Sequence, residues 1–155
     1  MPEHLRASFG GMSAVLQQQA EQGGLPMVSP QIIPNSRRAL EASEYAREEG
    51  AHGGFHKAVF HQFYGLGNDI HQWAVLSSAA REAGLDPVEM QAKTETGKYQ
   101  QSVDRQKAEA LALGATGVPL FIFDNQYAVI GLQPYAAFQE VMGHLPADPQ
   151  SNRPK

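Results

Sequence analysis

Only two stretches of this chain read as strands, the apolar runs Leu120–Phe123 and Tyr127–Ile130, and the turn residues Asp124-Asn125 separate them. Asp and Asn accept the left-handed backbone that a tight turn requires, so the pair predicts a β-hairpin. Upstream, the apolar spacing is helical almost throughout. Two strands, with at most a third from a proline-rich segment, make too small a sheet for six or so helices to cover. The sequence therefore predicts an α/β chain that is mostly helical, with an incomplete sheet.

The helix boundaries follow from local chemistry. Leu5 to Gln22 carries helical spacing at Phe9, Met12, Val15 and Leu16, and Gly23-Gly24 stops it. LPMVSPQIIP, Leu25–Pro34, holds three prolines in ten residues and is expected to be extended or an edge strand at best. A helix is expected from Ser36 to Glu49, with Asn35 as cap, Gly50 as stop and Ala39, Leu40, Ala42, Tyr45 and Ala46 inward. Phe55–Tyr64 follows with a wide aromatic stripe, then Gln72–Ala83, stopped by Gly84. Asp86-Pro87-Val88-Glu89 is a compact start signal: Asp caps, Pro suits the first helical position, and Glu stands two residues after it. That helix breaks near Gly97. Another spans Tyr99–Leu113 with Val103, Ala110, Leu111 and Leu113 inward, and Gln133-Pro134 opens a last one through Met142.

With 155 residues and 42% hydrophobic content, the chain has the size and apolar mass of one domain. Twelve Lys and Arg against 16 Asp and Glu give a net charge of −4, with no basic patch, which argues against nucleic acid as a partner. No apolar run reaches the roughly 18–20 residues that cross a bilayer, and MPEHLRASFGG lacks the apolar region of a secretory signal. A cytoplasmic protein with no membrane partner is expected. There is no cysteine at all. A disulfide framework, a thiolate metal site and a cysteine nucleophile are thereby excluded from this chain.

The stretch Gly114–Gln133, GATGVPLFIFDNQYAVIGLQ, followed by Pro134, resembles the C-terminal signature of the DsbA-like family of thioredoxin-fold disulfide oxidoreductases, and its FrnE-like subgroup in particular. PNSRRALEASEYA from Pro34, FHKAVFHQFY from Phe55, NDI from Asn68 and AGLD from Ala83 look like that family's helical insertion, placed here at about residues 35–98. The resemblance runs from about Leu5 to Met142. It implies one DsbA-like domain over residues 1–145, with a C-terminal β-hairpin and helix, and a flexible tail at 146–155. The family's opening strand and Cys-x-x-Cys helix have no counterpart in the sequence.

By that resemblance Gly117-Val118-Pro119 is the loop with a cis proline, and these three residues are the candidate substrate-binding site. An extended substrate segment would pair there with free backbone groups; the proline alternatively only turns the chain into the hairpin. Disulfide exchange needs a thiolate, so the chain is expected to be redox-inactive, with no catalytic residue and no cofactor. Two other readings stand beside this one: a non-catalytic protein- or ligand-binding module, and a relative of the glutathione-dependent 2-hydroxychromene-2-carboxylate isomerases. An incomplete sheet leaves strand edges open, so a homodimer or a strand-supplying protein partner is expected. His52, His56 and His61 lie close together, but Gly53-Gly54 interrupts them and no carboxylate completes a ligand motif; no metal is expected. His71 and Trp73 are expected to serve in packing or on the surface, and the Phe55/Phe60/Phe63/Tyr64 stripe to be core.

Overall fold

The computed structural model describes residues 16–28 and 32–145. They fall into two compact units, Met1–Arg105 and Gln106–Lys155. The expected first helix lies largely outside the described residues, as does the tail at 146–155. Residues 16–22 are helical, and Gly24 at φ +65° ends them as the glycine pair predicts.

In the first unit, α1 (Arg37–Glu48), α2 (His52–Phe60), α3 (Trp73–Glu82) and α4 (Pro87–Glu95) each touch two of the others: α1 meets α2 and α4, and α3 meets the same two. The ring closes on a core rich in alanine, with Ala39, Ala42, Ala46, Ala58, Ala79 and Ala80 all buried. Small side chains let helix backbones approach, and Tyr45, Phe55, Leu76 and Met90 fill the space between them. The Asp86 carboxylate accepts from the Val88 and Glu89 amides at 2.8 and 3.2 Å, with Pro87 in the first turn, the cap read from sequence. Asn35 also caps, one position earlier than an ordinary N-cap: its Oδ1 accepts from the Arg37 amide at 3.0 Å.

Two expectations on helix faces are corrected. Leu40 is 49% exposed and Glu41 takes an inside place at 7%. The buried face runs from Ala39 through Ala46 and Ala42 to Tyr45, and at about 100° per residue Glu41 lies beside Tyr45 while Leu40 points to the opposite side. The aromatic stripe is likewise not all core: Phe55 is fully buried, but Phe60 is 51% and Tyr64 37% exposed. After Phe60 the helix widens into a π turn, His61–Gly65, which shifts the register. Gln62 turns inward instead, and Asn68 Nδ2 donates to its Oε1 at 2.7 Å. The proline-rich segment forms no strand where it is described, although Val28 donates its amide to the Tyr64 carbonyl at 2.7 Å.

Helix α5 (Gln100–Ala112) spans the boundary between the units. Its Val103 is buried, as expected, whereas Leu111 and Leu113 are 61% and 65% exposed, a further correction: none of the described residues around them covers that end. In the second unit, β1 (Leu120–Phe123) pairs antiparallel with β2 (Tyr127–Ile130), Leu120 opposite Ile130 and Phe123 opposite Tyr127. Asp124 and Asn125 take φ of 49° and 54°, and the Gln126 amide closes the turn onto the Phe123 carbonyl. Positive φ at both central residues matches the right-handed twist of the strands. Helix α6 (Tyr135–His144) covers one hairpin face, where Phe138 meets Phe121 edge-on with centroids 5.0 Å apart. On the other face Ile122 and Ile130 stay 40% and 45% exposed.

Candidate functional site

The loop before β1 is built by two local signals. Gly114, at φ +80°, ends α5, and the Ala115 amide bonds back to the Ala110 carbonyl at 3.0 Å. The chain then runs exposed through Gly117, and the Val118–Pro119 peptide is cis. Gly131 donates its amide to the Pro119 carbonyl at 2.8 Å, so the hairpin ladder extends one residue past the strands. Val118 is 91% exposed, and its backbone groups make no hydrogen bond among the described residues. Gly117, Val118 and Pro119 thus form one open ledge beside the first strand. Its chemistry is limited to offering a backbone donor, a backbone acceptor and a small apolar side chain to an extended segment.

The histidines do not come together as ligands. His52 opens α2 despite the glycines that follow, and its ring stacks on His56 with centroids 5.6 Å apart. Burial pushes the His52 imidazole below its usual pKa, and the charge of Arg47, whose Nη2 lies 3.2 Å from Nε2, adds to the effect. His56 continues the stack onto Phe60 at 4.5 Å. Among the described residues no group of three or more His, Asp or Glu converges as a metal site would require.

A polar cluster that the residue spacing did not reveal lies at the start of α1. Arg37 binds Glu41 on its own helix and Asp104 on α5, and these hydrogen bonds, Asp104 first, raise its guanidinium pKa further above the normal range. Arg38 lies over the Trp73 ring with Cζ 4.9 Å from the centroid, and its Nη1 donates to the His71 carbonyl. Asp69 accepts from the His71 amide at 2.9 Å, which holds its carboxyl below the usual range. Trp73 packs against the buried core, so packing is its role and the polar start of α3 falls to its neighbours. One signal could have found this cluster. Two arginines in the first turn of a helix oppose its dipole, so each needs a partner elsewhere in the fold.

No helix among the described residues is long and apolar enough to cross a membrane. A crystal structure of a probable DsbA oxidoreductase from Streptomyces coelicolor superposes with a TM-score of 0.80 at 25% identity, over 97% of this chain and 63% of that one. The chain therefore spans less than two thirds of the length of that protein. A 2-hydroxychromene-2-carboxylate isomerase superposes with a TM-score of 0.77 at 22% identity, over 90% of this chain and 68% of the other, a likeness of fold. No curated protein matches the sequence. The profile of the DSBA-like thioredoxin domain matches residues 2–143, nearly the whole chain. The mostly helical architecture, with its C-terminal hairpin and closing helix, is that fold, and the chain belongs to the DSBA-like thioredoxin domain family.

Proposed function

We propose that this chain is a thiol–disulfide oxidoreductase homologue, FrnE-like in subgroup, that performs no dithiol exchange by itself and keeps the Gly117-Val118-Pro119 ledge as a surface for an extended polypeptide segment. The observation that carries the first half is compositional: the 155 residues contain no cysteine. Exchange proceeds by thiolate attack on a disulfide sulfur, and no other side chain replaces that nucleophile. Support for the second half is the exposure of Val118 and its unpartnered backbone. A cytoplasmic location belongs to the same proposal, since a cysteine-free chain needs no oxidising compartment.

The test is insulin reduction by dithiothreitol, followed by turbidity. Adding the purified chain is expected to leave the rate at its uncatalysed value. An increase that scales with protein concentration would remove the proposal. The relation to 2-hydroxychromene-2-carboxylate isomerases is the second reading, favoured by a likeness of fold alone; saturable glutathione binding by the chain would move it to first place.

The expected partner is a strand. The hairpin has two strands, so each has one edge without a ladder partner among the described residues, and Ile122 and Ile130 face outward beside it. Open edges of this kind pair with another strand, and a second copy of the chain supplies one. Light scattering at micromolar concentration is expected to give twice the chain mass of 16.9 kDa. A folded species at the single-chain mass would refute the pairing.

A further inference from the structure

The first unit holds an open cleft of about 420 Å³ between the start of α1, the start of α3 and the end of α4. Its walls include Asn35, Arg38, Glu41, His71, Trp73 and Glu95. The volume is within the range of small-molecule sites. Two groups in the wall lack what a folded protein normally provides. Arg38 makes no ion pair among the described residues, in contrast to Arg37, whose charge meets both Glu41 and Asp104. Of the five N–H donors of the Arg38 guanidinium, only one, on Nη1, makes a hydrogen bond among the described residues, to the His71 carbonyl. The second group is the indole Nε1–H of Trp73, which is buried and has no acceptor. Buried donors are nearly always paired, and an unpaired one costs on the order of 1–3 kcal/mol.

We infer that this cleft binds a small monocarboxylate through Arg38. The guanidinium lies over the Trp73 ring with Cζ 4.9 Å from the centroid, and its Nε and Nη2 N–H groups make no hydrogen bond among the described residues, so that edge is open to an acceptor. A planar fork of N–H groups matches a carboxylate in two parallel hydrogen bonds, the strongest pairing available to such an edge. The charge balance selects the class of ligand. Arg37 is taken up by Glu41 and Asp104, so Arg38, which feels the charge of Asp69 but makes no ion pair among the described residues, is the cation open to a ligand, and Glu95 in the same wall disfavours a second negative charge. A single carboxylate fits; a phosphate dianion does not. The apolar edge of Trp73 gives the ligand's body a surface to lie on.

The chain has one tryptophan, so the indole Nε1–H gives a single NMR cross-peak at the site itself. Titrating the full chain with benzoate is expected to move that peak saturably, with half-saturation at about 1 mM. Benzamide, of the same shape without the charge, and inorganic phosphate at matched ionic strength are expected to leave it in place. R38Q is expected to weaken benzoate binding about tenfold or more, as loss of a charge-assisted pair implies. An indole peak that benzoate leaves unmoved, or that benzamide or phosphate shifts as far, would overturn the inference. So would an R38Q variant that binds benzoate undiminished. The wild-type titrations decide the matter alone should R38Q fail to fold.

Discussion

Replacing Phe55 with alanine is expected to destabilise the first unit by about 3–5 kcal/mol, the usual cost of deleting a fully buried aromatic ring and leaving a cavity. Phe55 is 0% exposed and stands one turn into α2, where the ring of helices closes. The helix around it has little intrinsic strength. It opens His52-Gly53-Gly54, and each glycine is worse than alanine in a helix by about 0.8–1 kcal/mol. Nothing in the fold requires those glycines for space, since a Cβ at Gly53 would meet no neighbour within 4 Å and one at Gly54 would only touch Ala83. Tertiary packing of Phe55, Ala58 and Val59 must therefore hold this segment helical. Removing the ring takes away both the core contact and the helix's main support. A whole domain is stable by only about 5–15 kcal/mol, so the thermal midpoint should fall by roughly 10–30 °C. Trp73 fluorescence reports that unit directly. Phe60→Ala is the control: with Phe60 51% exposed, its loss should cost under about 1 kcal/mol. Equal losses for the two variants would mean that the core is placed wrongly.

Alkaline pH is expected to destabilise the same unit through Tyr45, and Tyr45→Phe to remove much of that sensitivity. Tyr45 is 1% exposed, and burial first, then the charges of Glu89 and Glu49, push its phenol from 10 up to about 12. A raised folded-state pKa means that the unfolded chain loses the proton first. Stability due to this group is then whole below pH 10 and is lost as pH climbs toward 12. Two pH units correspond to about 2–3 kcal/mol. Tyr99 and the lysines that face the cluster add to the alkaline loss. Burial raises the Tyr99 phenol, hydrogen bonds to Glu89 and Glu49 raise Lys93, and one to Glu48 raises Lys98. Those groups remain in Tyr45→Phe, so a smaller decline should persist. Urea unfolding at about pH 8 and about pH 11 measures the difference. A decline as steep in Tyr45→Phe as in the parent would rule out Tyr45 as its source.

Element ends were legible in the sequence because a few residues decide them locally. Gly50, Gly84, Gly97 and Gly114 all take positive φ at helix ends, Asp86 caps, and Asp124-Asn125 makes the hairpin turn. Each of these is a preference of one residue's own backbone or of a side chain two or three positions away. The absence of a thiolate was equally plain, since chemistry that needs sulfur cannot come from a chain without it. The hairpin also stood out, because strand and turn signals fall close together there, whereas the loop at Gly117-Val118-Pro119 was marked only by the family resemblance.

Tertiary structure alone decided which side of each helix is inside. Leu40, Phe60, Tyr64, Leu111 and Leu113 are apolar and exposed, while Glu41 and Gln62 are polar and buried. Periodicity states that a helix has an apolar stripe, but the axis of its neighbour selects the residues that are covered, and that axis depends on chain far away in sequence. The cleft shows the same limit. Arg38 and Trp73 are far apart in sequence and meet only because α1 and α3 are set by shared contacts with α2 and α4. Local preferences fix where elements begin and end; long-range packing chooses which of their side chains meet.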